Sequence, residues 1–120
     1  MRHRNTKATL NKPADQRKAM IRNLLTSLFL YGKVETTDAK AKALATEADK
    51  LIALVKRQKE DFNAIRELKR VLFTDDSSKN ALSYATKTTK TSGFTRSTKI
   101  RMRSGDNALM VQVELIPETK

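Results

Sequence analysis

Lys99, Arg101 and Arg103 stand on alternate residues, and Thr95 and Ser97 continue the same spacing toward the N-terminus. In an extended strand alternate side chains leave one face, so this pattern predicts a cationic row with about 6–7 Å between successive positions. That interval is close to the distance between neighbouring phosphates of a nucleic-acid strand, and the chemistry it suits is phosphate binding. A second group of bases opens the chain: Arg2, Arg4, Lys7 and Lys12, then Arg17, Lys18 and Arg22, with His3 among them.

Other chemistry finds little support. His3 is the sole histidine and has no neighbours suited to hold a metal or share a proton, so contact with a phosphate or a base is the better expectation. Asp75 and Asp76 are adjacent and read as loop or cap residues. Acid–base work needs two carboxylates driven to different pKa values in a pocket, and nothing in the pattern builds one. Three glycines, at Gly32, Gly93 and Gly105, are too few and too scattered for a phosphate-cradling loop. Cysteine is absent, which excludes disulfides, thiolate metal sites and thiol nucleophiles. The reading is of a chain that is not an enzyme and needs no cofactor, metal or small-molecule substrate.

The charge is segregated. Twenty-five Lys and Arg against 13 Asp and Glu leave +12, at a pI near 10.2. Residues 1–33 hold eight bases and one acid, residues 34–76 nine of each, and residues 77–104 seven bases with no acid. Two basic blocks thus flank a neutral middle, an arrangement that points to a polyanionic partner. At 120 residues the chain has the size of one ordinary domain. The apolar stretch from Leu24 to Tyr31 is too short to span a bilayer and lacks a signal-peptide cleavage site, so a soluble cytoplasmic chain without a membrane partner is expected.

These bases must be positioned by folded elements. Residues 1–12 have no apolar period and read as a basic arm, disordered when free, ahead of one globular domain over 13–120. Pro13 suits the start of a helix whose stripe, Ile21, Leu24, Leu25 and Leu28, ends at Gly32. A short strand, Lys33 to Thr36, precedes a second helix capped by Thr36 or Thr37, with Leu44, Ala48, Leu51, Ile52 and Val55 inward. Asp61 is the expected cap of a third helix carrying Phe62, Ile65, Leu68 and Leu72 as far as Phe73, and Thr74 to Ser78 reads as the loop that stops it. Lys79 to Lys90 predicts a fourth helix. After Ser92-Gly93 the period falls to two, giving a strand from Phe94 to Arg103, a turn over Ser104 to Asn107 with Gly105 free to take a positive φ, and a return strand with Leu109, Val111, Val113 and Leu115 on one face. Phe29, Tyr31, Phe62, Phe73 and Tyr84 are expected in the core, and Phe94 is the aromatic least expected there. The fold class is α+β: two layers, helices packed on a small sheet, order α-β-α-α-α-β-β with a C-terminal hairpin.

A run of local motifs then resembles a known family. Met1-Arg2-His3-Arg4, Arg17-Lys18-Ala19-Met20-Ile21-Arg22-Asn23-Leu24, Thr36-Thr37-Asp38-Ala39-Lys40-Ala41-Lys42, Leu51-Ile52-Ala53-Leu54-Val55-Lys56, Gly93-Phe94-Thr95-Arg96, and Arg103-Ser104-Gly105-Asp106-Asn107-Ala108 with Met110 resemble, in order, the signatures of the bacterial-type large ribosomal subunit protein seventeen family. Gln16, where the family usually has histidine, and Tyr31-Gly32, in place of His-Glu, depart from it, and residues 58–92 match little beyond helical character. The resemblance implies the same element order, and contact of Arg2 to Arg4, Arg17, Arg22, Arg96 and Arg103 with the large subunit's ribosomal RNA. It further implies a place in the cytoplasmic ribosome near the nascent-peptide exit, beside neighbouring ribosomal proteins. Charge and resemblance together give one expected RNA-binding set: Arg2, His3, Arg4, Lys7, Lys12, Arg17, Lys18, Arg22, Arg96, Lys99, Arg101 and Arg103. A DNA-binding nucleoid-associated or regulatory protein is the alternative that the same basic blocks would serve.

Overall fold

A computed structural model of the chain describes residues 9–117. Most of the expected arm, residues 1–8, lies outside the described residues; Thr9 to Lys12 form a turn closed by the Lys12 N–H on the Thr9 carbonyl at 3.1 Å. Four helices and three strands follow: α1 (Ala14–Tyr31), β1 (Lys33–Thr37), α2 (Asp38–Arg57), α3 (Asp61–Val71), α4 (Asp75–Lys87), β2 (Thr95–Met102) and β3 (Leu109–Leu115). The strands form one antiparallel sheet in the order β1-β3-β2, so this is the expected α+β fold in the expected element order.

Local chemistry explains the boundaries. Gly32 ends α1 in the left-handed conformation at φ 78° and donates its N–H to the Leu28 carbonyl, a turn that any residue with a Cβ would adopt at a cost. Asp38 opens α2 and Lys56 and Arg57 close it, each sign at the end where the helix dipole favours it. The α2 face read from the sequence, Leu44, Ala48, Leu51, Ile52 and Val55, is buried in full. It packs with Leu25, Leu28 and Phe29 of α1, Ala64 and Leu68 of α3, Ala81 and Ala85 of α4, and Val111 and Val113 of β3.

Several expectations are corrected. Thr74 to Ser78 is not a loop: Thr74 caps α4, its hydroxyl accepting the Ser77 N–H, and Ser77 and Ser78 are buried in the first turn. The fourth helix therefore starts at Asp75 rather than Lys79, because Thr, Asp and Ser provide the same side-chain acceptors to a helix start as to a loop. Asp61 is the first residue of α3 rather than its cap; Glu60 holds the cap position, without a side-chain hydrogen bond. The positive φ of the last turn falls on Asn107, at 59°, not on Gly105. Tyr31, Phe62 and Phe73 are 75%, 61% and 50% exposed, whereas Phe94 is 1% exposed and is the largest fully buried side chain. Helical period placed the first three inward, but Tyr31 and Phe62 sit at the ends of α1 and α3, and Phe73 lies two residues past the end of α3.

Candidate nucleic-acid interface

The hairpin begins at a fixed root. Phe94 is buried against the core, its N–H donates to the Asp49 carboxylate of α2 at 3.0 Å, and its carbonyl accepts the Ile116 N–H at 2.9 Å. The Tyr84 hydroxyl of α4 donates to the Ile116 carbonyl at 2.7 Å and lies 3.1 Å from that of Phe94. Lys56 stands 5.7 Å from the Phe94 ring centre and donates to the Thr88 and Lys90 carbonyls at 3.0 and 2.6 Å, fixing the segment that leads into β2. Asp49 had no signal in the sequence beyond its place on the polar side of α2, and Lys56 only its place at the end of the Leu51–Lys56 motif.

Beyond the root the expected single cationic row does not form. Lys99 pairs with Val111 and Arg101 with Met110, so two steps on β2 match one step on β3, and Ile100 is the extra residue of a β-bulge. Cross-strand partners share a face, which leaves Ser97 and Lys99 on the side of the buried Val113 and Val111. Arg96, opposite Glu114, and Arg101, opposite Met110, take the outer side instead. The alternation Thr95, Ser97, Lys99, Arg101, Arg103 was read as one face, and the bulge divides it.

The outer face is ordered by carboxylates. Arg96 meets Glu114 through Nε and Nη2 at 2.8 and 2.7 Å, and Arg101 reaches across the central strand to Glu35 of β1 at 2.7 Å. At the turn Arg103 forms a two-point contact with Asp106, at 2.9 and 2.6 Å. The Arg103 hydrogen bonds, then the Ala108 N–H on the same carboxylate, hold the Asp106 carboxyl down at about 2. Lys99 is exposed and makes no ion pair among the described residues. Glu35 and Glu114 were invisible as partners because pairing register, not composition, brings them to these arginines, whereas Asp106 meets Arg103 locally, three residues on across the turn.

The α1 bases divide between two roles. Lys12 and Lys18 are exposed, and Arg17 is half-buried with Nη1 3.3 Å from the Lys12 carbonyl. A groove of about 440 Å³ between α1 and the start of α2 is lined by Lys12, Gln16, Met20 and Lys40 among others, which adds Lys40 from the segment that the charge balance marked as neutral. Arg22 points inward: its Nε donates to the Val71 carbonyl at the end of α3 at 2.7 Å, and its guanidinium lies 4.2 Å from the Phe73 ring centre. Arg2, His3, Arg4 and Lys7 lie outside the described residues. Among the described residues no group of three or more His, Cys, Asp or Glu could hold a metal ion, and no helix is long and apolar enough to cross a membrane.

Comparison with known proteins gives one answer. The family model for ribosomal protein L17 matches residues 20–116. The large ribosomal subunit protein bL17 of Desulforapulum autotrophicum is 45% identical over 123 aligned residues, covering 97% of this chain and 97% of the relative. That of Clostridium perfringens is 40% identical over 112, covering 89% and 95%, and that of Geotalea daltonii 38% over 128, covering 99% of this chain and 66% of its own length. The match enters α1 and runs through every later helix and strand; it holds all the motifs that carried the resemblance except Met1 to Arg4 and the first three residues of the Arg17–Leu24 run, and the chain belongs to the ribosomal protein L17 family.

Proposed function

We propose that this chain is a structural constituent of the large ribosomal subunit that binds ribosomal RNA through its basic N-terminal arm, α1 and the β2–β3 hairpin, and so supports translation in the cytoplasm. Family membership makes it a structural protein rather than an enzyme. The observation that carries the RNA reading is the hairpin itself: a basic strand, anchored at its root and exposed from Arg96 to Met102, with no acid between Ser77 and Ser104. Residues 1–12 act as the RNA-binding arm of a single domain over 13–120, and neighbouring ribosomal proteins near the nascent-peptide exit complete its surroundings.

Phosphate contacts release counterions, so affinity must depend on salt. If about six to ten phosphates are neutralised, the affinity for protein-free large-subunit RNA falls by roughly three to five decades between 50 and 200 mM salt. A filter-binding series across that range measures it, and a flat response would refute the electrostatic account. Specificity is expected from RNA shape and ribose hydroxyls, because the folded RNA minor groove presents those rather than a readable base code.

A further inference from the structure

β2 departs from the rule for a sheet with one covered face. Such a strand alternates buried and exposed residues, yet every residue of β2 from Arg96 to Met102 is exposed. The helices cover Val34, Thr36, Val111 and Val113 on the inner side of β1 and β3; α2 also comes close to β2, yet Ser97, Lys99 and Met102 on its inner side stay exposed. Alternation puts Arg96 outward and Lys99 inward, and the bulge at Ile100 then turns Arg101 outward to join Arg96. Met102, opposite Leu109, also faces inward and is 52% exposed, and Ile100 is 42% exposed.

The two sides differ in chemistry. Both carboxylates of the strands, Glu35 and Glu114, belong to the outer face, where they hold two guanidinium groups in fixed directions. A guanidinium so oriented presents its remaining N–H groups in a planar fork suited to phosphate oxygens. The inner side has no strand carboxylate; it offers the Lys99 ammonium, without an ion pair among the described residues, on the same face as the exposed Met102 thioether. A cation next to an apolar side chain fits the ribose-lined minor groove or the face of an unstacked base, with a phosphate at its edge. Addition of a protein strand to this edge is disfavoured, because the bulge interrupts the ladder and the edge is lined with cations.

We propose that the β2–β3 hairpin is a two-sided RNA-binding blade that lies between two separate segments of one folded RNA, Arg96 and Arg101 holding phosphates on one side and Lys99 with Met102 packing on the other. The inference rests on the RNA-binding reading above and adds that both sides are occupied at once. Hydroxyl-radical footprinting on protein-free bacterial large-subunit RNA tests it, with the intact chain, an outer variant (Arg96→Gln with Arg101→Gln) and an inner variant (Lys99→Gln with Met102→Thr). Thermal midpoints confirm that each variant is folded, and Lys99→Gln alone replaces the inner pair should that pair lower the midpoint. The intact chain is expected to protect two hairpin-dependent RNA segments, the outer variant to lose one and the inner variant the other. The salt slope is expected to shrink by about 2 and about 1, respectively. Loss of the same protections in both variants, or no effect of the inner one, overturns the two-sided blade while leaving RNA binding intact. Absence of any protection by the intact chain overturns RNA binding itself.

Discussion

Arg96, Arg101 and Arg103 each touch a carboxylate in the free chain, yet exposed, solvent-screened pairs of this kind add little to stability. Their importance is directional: each carboxylate fixes where its guanidinium points. Asp106 shows it most clearly, with its carboxyl lowered from the ordinary 3.8 to about 2, first by the Arg103 hydrogen bond and then by the Ala108 N–H. Because the folded value is the lower one, the contact is complete above the ordinary value and is lost as pH falls through about 2. The amide resonance of Ala108 is accordingly expected to titrate near 2; a midpoint near 4 would show that the turn contact does not form in solution. The basic residues themselves were legible by type and spacing. Their acidic partners were not, since Glu35, on β1, meets Arg101 only after a third strand has been placed between them.

At the scale of elements, apolar period located the α1, α2 and α3 helices and both hairpin strands to within a few residues, because burial of one stripe is what forms them. It failed where two structures share one composition. Thr74, Asp75, Asp76 and Ser77 serve a helix start as readily as a loop, and strict alternation from Phe94 to Arg103 gave no sign of an inserted residue. It also could not show that one expected RNA contact joins two helices. Arg22 donates from α1 to the Val71 carbonyl at the end of α3 and stacks on Phe73, while the Thr26 hydroxyl one turn later accepts the Phe73 N–H at 3.2 Å. Arg22→Ala is therefore expected to cost about 1–2 kcal/mol in urea denaturation of the free protein, the range of a half-buried charge-assisted hydrogen bond. Lys18→Ala, on the exposed side of the same helix, is expected to change stability by less than about 0.5 kcal/mol. Equal effects of the two would remove Arg22 from the tether.

For the molecule as a whole, the segregation of charge was the most informative feature of the sequence. The neutral middle, residues 34–76, supplies α2, α3 and most of β1, while the two basic blocks contribute α1, most of α4 and β2. The exposed bases of α1 and β2 thus come from other stretches of chain than α2, whose apolar face is buried in the core. Deleting residues 1–8, which carry Arg2, His3, Arg4 and Lys7, is expected to reduce the salt slope of RNA binding and leave the thermal midpoint unchanged. A marked drop in the midpoint would show that those residues belong to the core.

The phenol of Tyr84 meets carbonyls at both ends of the hairpin, and Asp49 takes the amide at its entry. Such a projection behaves as a cantilever clamped to α2 and α4 rather than as a tether free to swing. Its aim is set before any partner arrives, so little orientational entropy is left to lose on docking. A change that loosened the clamp, such as Tyr84→Phe, would leave every cation in place and still blunt recognition by letting the tip wander.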